Sequence, residues 1–176
     1  CSSDLGTDSG LFIIDKNENI VEDELTEYIG SSRVRCICSD DNDNLWISVY
    51  NNDVGLVCLE NDGEIKSYTT ENGLLSNEIR CALIAKDGSV MVGTNGGYAL
   101  IKDGKVTRTV GMDDGMQNTV ILTVAEGENG EIYAGSDGGG LYVIKEDSLE
   151  RLGREDGLTS DVIMRLINDE VNGVMW

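Results

Sequence analysis

The sequence of 176 residues contains no histidine and no proline, and only 5% of its residues are aromatic. The absence of histidine excludes the Ser-His-Asp and Cys-His nucleophile systems and every metal site with a histidine ligand. Basic residues are scarce too: 13 lysines and arginines stand against 33 aspartates and glutamates, a net charge of −20. Nucleic acids and anionic membranes are bound through basic surfaces, so we expect neither as a partner.

Long apolar stretches are also missing. No run approaches the roughly 20 residues that a membrane-spanning helix needs, so we expect no membrane contact by this segment. The hydrophobic content of 40% is nevertheless sufficient for a buried core. Glycine is abundant, with 22 residues, and much of it recurs at regular intervals.

Three markers repeat along the chain with one period. The first is a bulky residue after an Asp- or Asn-containing turn, with spacings of 45, 42 and 43 residues: Trp46, Met91, Tyr133 and Trp176. The second is a turn glycine that recurs every 42 residues: Gly73, Gly115 and Gly157. The third is a glycine before an apolar run: Gly10, Gly55, Gly97 and Gly140. A repeat of this length indicates a solenoid, propeller or array.

Each repeat has the pattern of four short strands. In the best-defined copy, the apolar runs 79–85, 90–94, 98–101 and 106–110 are separated by turns rich in Asp, Asn and Gly. The first run is apolar on both faces, which is typical of a strand buried on both sides. The prediction contains no helix.

Four strands per repeat predict an all-β fold, a β-propeller, in preference to a β-solenoid, whose coils are usually shorter. The predicted blades span about 31–74, 75–116 and 117–158, between partial blades at 6–30 and 159–176. The partial blades are complementary, so together they would close a fourth blade. The favoured alternative is that the chain is a piece of a larger ring.

The repeat resembles a known bacterial family. The stretch from Val34 to Ile47 is similar to the blade of the two-component regulator propeller repeat, in which a turn Asp and Gly precede Leu-Trp-Ile-Gly-Thr. The turns at Gly73, Gly115 and Gly157 match the family as well, whereas Met91 and Tyr133 replace its tryptophan.

The resemblance implies the sensor region of a signalling protein whose output is a histidine kinase or a diguanylate cyclase. It implies an extracytoplasmic location, no cofactor and no catalytic role for this segment. The expected partners are a small-molecule or oligosaccharide ligand, the remainder of the same signalling protein, and a second copy of it in a homodimer. A cytoplasmic location stays open because the five cysteines show no disulfide pattern.

Three of the seven arginines occupy one repeat position, eleven residues before the bulky marker. These are Arg35, Arg80 and Arg165, and Leu122 stands at the fourth copy of the position. Equivalent positions of a propeller lie on a ring about its axis, so the guanidiniums are predicted to bind a ligand's carboxylates or hydroxyls at the axial mouth. The alternative is that each arginine pairs with one of the many acids.

The cysteines are predicted to be free thiols packed in the core. Cys36 and Cys81 share a repeat position, while Cys38 and Cys58 match apolar residues in the other copies. The Cys36-x-Cys38 spacing is too short for the usual zinc or redox motifs. Cys1 lies outside the repeat and is expected to be exposed and reactive.

Acidic residues suggest two further functions, calcium binding and catalysis, and the evidence for both is weaker than for the ligand site. Asp40 to Asn44 faintly resembles a calcium loop, but Leu45 and Asn51 stand where an EF-hand needs Gly and Glu, so no metal site is predicted. Acids recur in turns rather than as one catalytic pair, which leaves a hydrolase or lyase propeller third, behind a ligand sensor and a protein-interaction propeller. Trp46 and Trp176 are predicted to lie between sheets.

Overall fold

The turn glycines place the strands of each repeat. In the computed structural model, which describes residues 3–176, the Asp103–Gly104 turn has positive φ at both residues (51° and 70°) and joins two antiparallel strands. This conformation matches the twist of a tight hairpin, and Asp-Gly favours it. Cys1 lies outside the described residues.

Three sheets contain four antiparallel strands each, in chain order across the sheet. The first holds β4 (Arg33–Ser39), β5 (Leu45–Tyr50), β6 (Leu56–Leu59) and β7 (Ile65–Tyr68). The second holds β8 (Ile79–Ile84), β9 (Val90–Thr94), β10 (Tyr98–Lys102) and β11 (Lys105–Val110). The third holds β12 (Ile121–Glu126), β13 (Ile132–Ser136), β14 (Leu141–Ile144) and β15 (Leu149–Leu152). The predicted all-β propeller fold is confirmed.

Shorter sheets lie at both ends. β1 (Ser3–Thr7), β2 (Gly10–Ile14) and β3 (Ile20–Val21) form a three-stranded sheet, and β16 (Asn168–Asp169) pairs with β17 (Val174–Met175). The marker glycine Gly10 opens β2, just as Gly55, Gly97 and Gly140 directly precede β6, β10 and β14. The first sheet therefore begins at the second strand of a repeat.

The helix α1 (Glu24–Ile29) was not predicted. Its N-terminus is capped reciprocally, since the Asp23 carboxylate accepts from the Thr26 amide and the Thr26 hydroxyl accepts from the Asp23 amide. Leu25 and Ile29, one turn apart, are both buried. In the later repeats this place holds a single 3-10 turn that ends at Gly73, Gly115 or Gly157, with φ of 112°, 105° and 109°.

The core lies between successive sheets. Trp46 is 6% exposed and lies with its ring centroid 5.5 Å from that of Tyr68, among apolar residues of the first and second sheets. The same position in the second repeat, Met91, is fully buried. The prediction for Trp176 is wrong: it is 69% exposed, because the sheet around it has only two strands and no described sheet covers it.

Candidate functional site

The first strands of the complete sheets, β4, β8 and β12, contact one another side by side. At their starts, and at residues 164–166 of the last repeat, lies a cleft of about 280 Å³ whose lining includes Arg35, Arg80 and Arg165. We call it the arginine cleft. The structure thus brings together all three arginines that share a repeat position.

Arg80 is held in a fixed orientation by the neighbouring sheet and turn. Its Nε donates to Asn95 Oδ1 at 2.7 Å, and its Nη2 donates to the Tyr50 hydroxyl at 3.3 Å. The guanidinium carbon lies 4.6 Å from the centroid of the Tyr50 ring. Asn95 is fixed in turn, because its Nδ2 donates to Glu78 Oε2 at 2.5 Å. A guanidinium has five N–H donors, so Arg80 retains donors for a further acceptor.

Arg35 shares the same aromatic ring. Its guanidinium carbon lies 5.9 Å from the Tyr50 centroid. Partial burial lowers the pKa of Arg35, and the positive charges of Arg33 and Arg80 lower it further. Two guanidiniums on one ring repel each other, and an anion between them would relieve that repulsion.

The acids among the described residues do not neutralise these three arginines. Among the described residues, the ion pairs of arginine are Arg33 with Asp8 at 2.7 Å and Arg151 with Glu155 and Asp161. Arg35 and Arg165 are exposed and Arg80 is half-buried, and none of the three forms an ion pair with any described residue. This arrangement does not support the alternative in which each arginine pairs with a nearby acid.

An apolar wall faces the guanidiniums. Leu122 takes the place of the fourth arginine, and Leu83 and Met164 also line the cleft, 40% and 72% exposed. The first strands were expected to be buried on both sides, and Leu83 corrects that expectation for β8, because one face of the strand borders the cleft. The residues that line the cleft include no aspartate or glutamate.

Sequence reasoning missed Tyr50 and Asn95. Both stand four residues after the bulky marker of their repeat, at the end of the second strand. Asn95 Nδ2 donates to the Tyr50 hydroxyl at 3.3 Å, and both side chains accept a hydrogen bond from Arg80. Their shared repeat position could have identified them. It was overlooked because the two residue types differ and neither side chain is charged.

The cysteines divide into two environments. The four described cysteines, Cys36, Cys38, Cys58 and Cys81, are free thiols. Cys58 is buried in the core, and burial raises its pKa to about 12. Cys36 and Cys81 line the arginine cleft, but Cys81 also packs against core residues, as Cys38 does. The expectation of core packing therefore holds for Cys38, Cys58 and Cys81 but not for Cys36.

Acidic clusters have structural partners. The Asp40 carboxylate accepts hydrogen bonds from the Asn42 and Asn44 amides, from Asn44 Nδ2 and from Trp46 Nε1, which closes the turn. Elsewhere the carboxylates of Glu60, Asp62 and Glu64 lie within 4.8 Å of one another. Lys66 Nζ lies 2.6 Å from Glu60 and 3.5 Å from Glu64, so a lysine already supplies a positive charge there.

The propeller architecture has counterparts of known structure. The chain is similar to the extracellular domain assigned to a hybrid two component system of B. thetaiotaomicron, with TM-score 0.78 and 21% identity, covering 99% of this chain and 24% of that one. It is similar to the extracellular domain assigned to a one component system of the same organism, with TM-score 0.56 and 19% identity, over 99% and 30% of the two chains. A catalytically inactive virginiamycin B lyase from Staphylococcus aureus, with quinupristin, has TM-score 0.65 and 16% identity, over 100% and 52%.

This chain therefore spans about a quarter to a half of the length of these structures. No curated protein matches the sequence. Within the described residues, no helix is long and apolar enough to cross a membrane. The family model described as two component regulator propeller matches residues 28–51, which contain the Asp40 turn and Trp46. The chain thus has the fold of a β-propeller segment, and its residues 28–51 match the two-component regulator propeller repeat.

Proposed function

We propose that this segment is the ligand-sensing part of a bacterial signalling protein and that its ligand binds in the arginine cleft. The observation that carries the proposal is the convergence of Arg35, Arg80 and Arg165 on one cleft, without an acid partner among the described residues. A protein with a net charge of −20 repels most anions. The arginine cleft, where three guanidiniums converge, would attract them instead.

The chemistry of the cleft favours a small molecule that carries an anionic group. Arginine binds carboxylates through two parallel hydrogen bonds, and the fixed orientation of Arg80 lowers the entropy cost of such a contact. Leu83, Leu122 and Met164 would contact the apolar part of the ligand. An oligosaccharide with a carboxylate group meets both requirements, since sugar rings present apolar faces as well as hydroxyls.

The related structures support the cellular setting of the proposal. Two of them are extracellular domains assigned to one- and two-component systems, which favours an extracytoplasmic position for this segment as well. The remainder of the ring and the signalling output would lie outside these 176 residues. Exposed apolar side chains of the last sheet, Val171 (94%) and Trp176 (69%), are suited to pack against that remainder. Ligand binding would shift the population of two arrangements of the whole receptor, or of a homodimer of it.

Thermal denaturation of the intact protein tests the proposal. The panel contains oligosaccharides with and without carboxylate groups, and small mono- and dicarboxylates. A ligand at 100 times its dissociation constant adds about 2.7 kcal/mol of stability, so the shift in Tm is readily measured. We expect a shift with a carboxylate-bearing compound, and we expect Arg80→Ala to abolish it.

Two variants sharpen this measurement. Arg80→Lys keeps the charge but loses the forked geometry, so it should retain only part of the shift. Arg154→Ala removes an exposed arginine that is not part of the cleft lining, and the shift should be unchanged. If no compound of the panel shifts Tm, a non-catalytic interaction propeller becomes the better proposal. Turnover of a compound by the protein would instead favour a lyase or hydrolase.

A further inference from the structure

Cys36 has a different environment from the other described cysteines. It lines the arginine cleft, and its Sγ lies 3.5 Å from the Ala82 carbonyl oxygen. The Sγ of Cys38 lies 3.8 Å from the same oxygen, so the two thiols of β4 stand side by side against β8. One of the two thiols can then ionise, and the other can stay protonated and donate a hydrogen bond to the resulting thiolate.

The cross-strand neighbour of Cys36 is also unusual. Ser48 lies directly opposite Cys36 in the β4–β5 register, whereas Gly93 opposes Cys81 and Gly135 opposes Thr123. The Ser48 hydroxyl is fully buried and has no hydrogen-bond partner among the described residues. Ser48 therefore has a Cβ where the other two repeats have glycine, so Cys36 cannot pack onto the second strand as closely as Cys81 packs onto Gly93.

The charges around Cys36 favour its thiolate. The hydrogen bond from Cys38 and the positive charge of Arg165 lower the pKa of Cys36 to about 6, although burial opposes the shift. The pKa of Cys38 is raised, chiefly by the same hydrogen bond and by burial. Arg35 and Arg80 also line the cleft, so every charged side chain that lines it is positive.

Cys81 provides an internal comparison. It occupies the same repeat position as Cys36 and lines the same cleft. Its Sγ is packed so closely on the second strand that a Cβ at Gly93 would lie 2.6 Å from it. Burial raises the pKa of Cys81 to about 12, so the thiol stays protonated. Position in the repeat alone does not produce a reactive cysteine.

We propose that Cys36 is a site of covalent modification, at which its sulfur forms mixed disulfides with small anionic disulfides that the three arginines draw into the cleft. The Cys36 thiolate attacks one sulfur of the reagent, a new S–S bond forms, the reagent's S–S bond breaks, and the second half leaves as a thiolate. The disulfide reagent is the oxidant and no other is needed. The adduct fills the cleft, so modification would block the ligand site of the proposed function.

Two aromatic disulfides test this site on the intact protein. One is 5,5′-dithiobis(2-nitrobenzoate), which carries two carboxylates, and the other is the neutral 4,4′-dithiodipyridine. Labelling rates are measured from pH 5 to 9, and the modified cysteine is located by peptide mass spectrometry. We expect a fast phase at Cys36 whose rate rises with pH about a midpoint near 6, because the thiolate is the nucleophile. The fast phase should disappear in Cys36→Ser and persist in Cys81→Ser.

The role of the arginines is tested separately. Arg165→Ala should slow the anionic reagent relative to the neutral one by about two- to fivefold, the range expected of a partly exposed charge contact. Arg154→Ala should leave the ratio unchanged. A fast phase located at Cys38, Cys58 or Cys81 in Cys36→Ser would overturn the proposal. So would a midpoint near 8.5 for Cys36, as for an ordinary thiol. Fast labelling of Cys36 without any ligand-induced Tm shift would reject the sensor proposal alone, so the two failures are distinguishable.

Discussion

Substitution of Gly97 by alanine is expected to destabilise the protein by about 3 to 5 kcal/mol. Gly97 has φ of +137°, a conformation that residues with a side chain rarely adopt. A Cβ at this position would also lie 2.2 Å from the Val110 carbonyl oxygen and 3.0 Å from Leu75 Cδ1. The carbonyl belongs to the last residue of β11, so the clash can be relieved only if the start of β10 and the end of β11 move apart.

The matched control is Gly88→Ala. Gly88 also has positive φ, +82°, but a Cβ there meets nothing within 4 Å. It should cost only the backbone strain, about 1 to 2 kcal/mol. Urea denaturation of the intact protein, followed by tryptophan fluorescence, measures both. Equal losses for the two variants would show that the close approach to Val110 does not matter.

The same contact explains why a glycine recurs before the third strand of each repeat. A Cβ at Gly55 would lie 2.2 Å from the Tyr68 carbonyl oxygen, and one at Gly140 would lie 2.3 Å from that of Leu152. Each glycine allows the third strand to begin directly against the end of the fourth. The repeat could be read from the sequence because this constraint is local and returns in every blade.

The strands of the second repeat were predicted closely for the same reason. The expected runs 79–85, 90–94, 98–101 and 106–110 are β8, β9, β10 and β11 to within one residue at each end. Their turns contain Asp-Gly or Asn-Gly-Gly, whose backbone preferences depend on neighbouring residues only. The propeller fold, which these turns predict, is confirmed, and the family resemblance is supported by the model match to residues 28–51 of the first repeat.

The helix α1 shows where prediction from the local sequence failed. It has six residues, too few for a helical period to stand out among strand-like repeats. Its N3 residue is Thr26 rather than the Glu or Gln of the usual capping box, so that signal was absent too. The burial of Leu25 and Ile29 against β2 and its neighbours is a tertiary effect.

Part of the candidate site was predictable and part was not. The repeat position of Arg35, Arg80 and Arg165 predicted that they would lie near one another. That no described acid pairs with them could not be predicted, because each pairing depends on side-chain directions across different sheets. The same holds for Cys36, whose difference from Cys81 depends on Ser48 and Arg165, residues of separate elements, as well as on the nearby Cys38 and on burial.

Removal of the Tyr142 hydroxyl tests the hydrogen bonds that position Asn95 and Arg80 in the arginine cleft. Tyr142 is fully buried, and its hydroxyl oxygen accepts from the Gln117 and Asn118 amides, both at 3.0 Å. The next residue, Thr119, donates from Oγ1 to the Asn95 carbonyl at 2.9 Å, and Asn95 orients Arg80. Tyr142→Phe leaves two amides without an acceptor, so we expect a loss of about 2 to 4 kcal/mol of stability.

Tyr98→Phe is the matched control, because both tyrosines are buried but the Tyr98 hydroxyl is not hydrogen-bonded to any described residue. Tyr98 is 1% exposed, and its hydroxyl has no hydrogen-bond partner among the described residues. Loss of a buried, unpaired hydroxyl removes a desolvation cost, so Tyr98→Phe should be neutral or stabilising by up to about 1 kcal/mol. Chemical denaturation of the two variants gives the difference directly. If Tyr142→Phe is as mild as Tyr98→Phe, the hydroxyl does not hold residues 117 and 118. The orientation of Arg80 would then depend on Tyr50 and Glu78 alone, which contact it directly or through the Asn95 side chain.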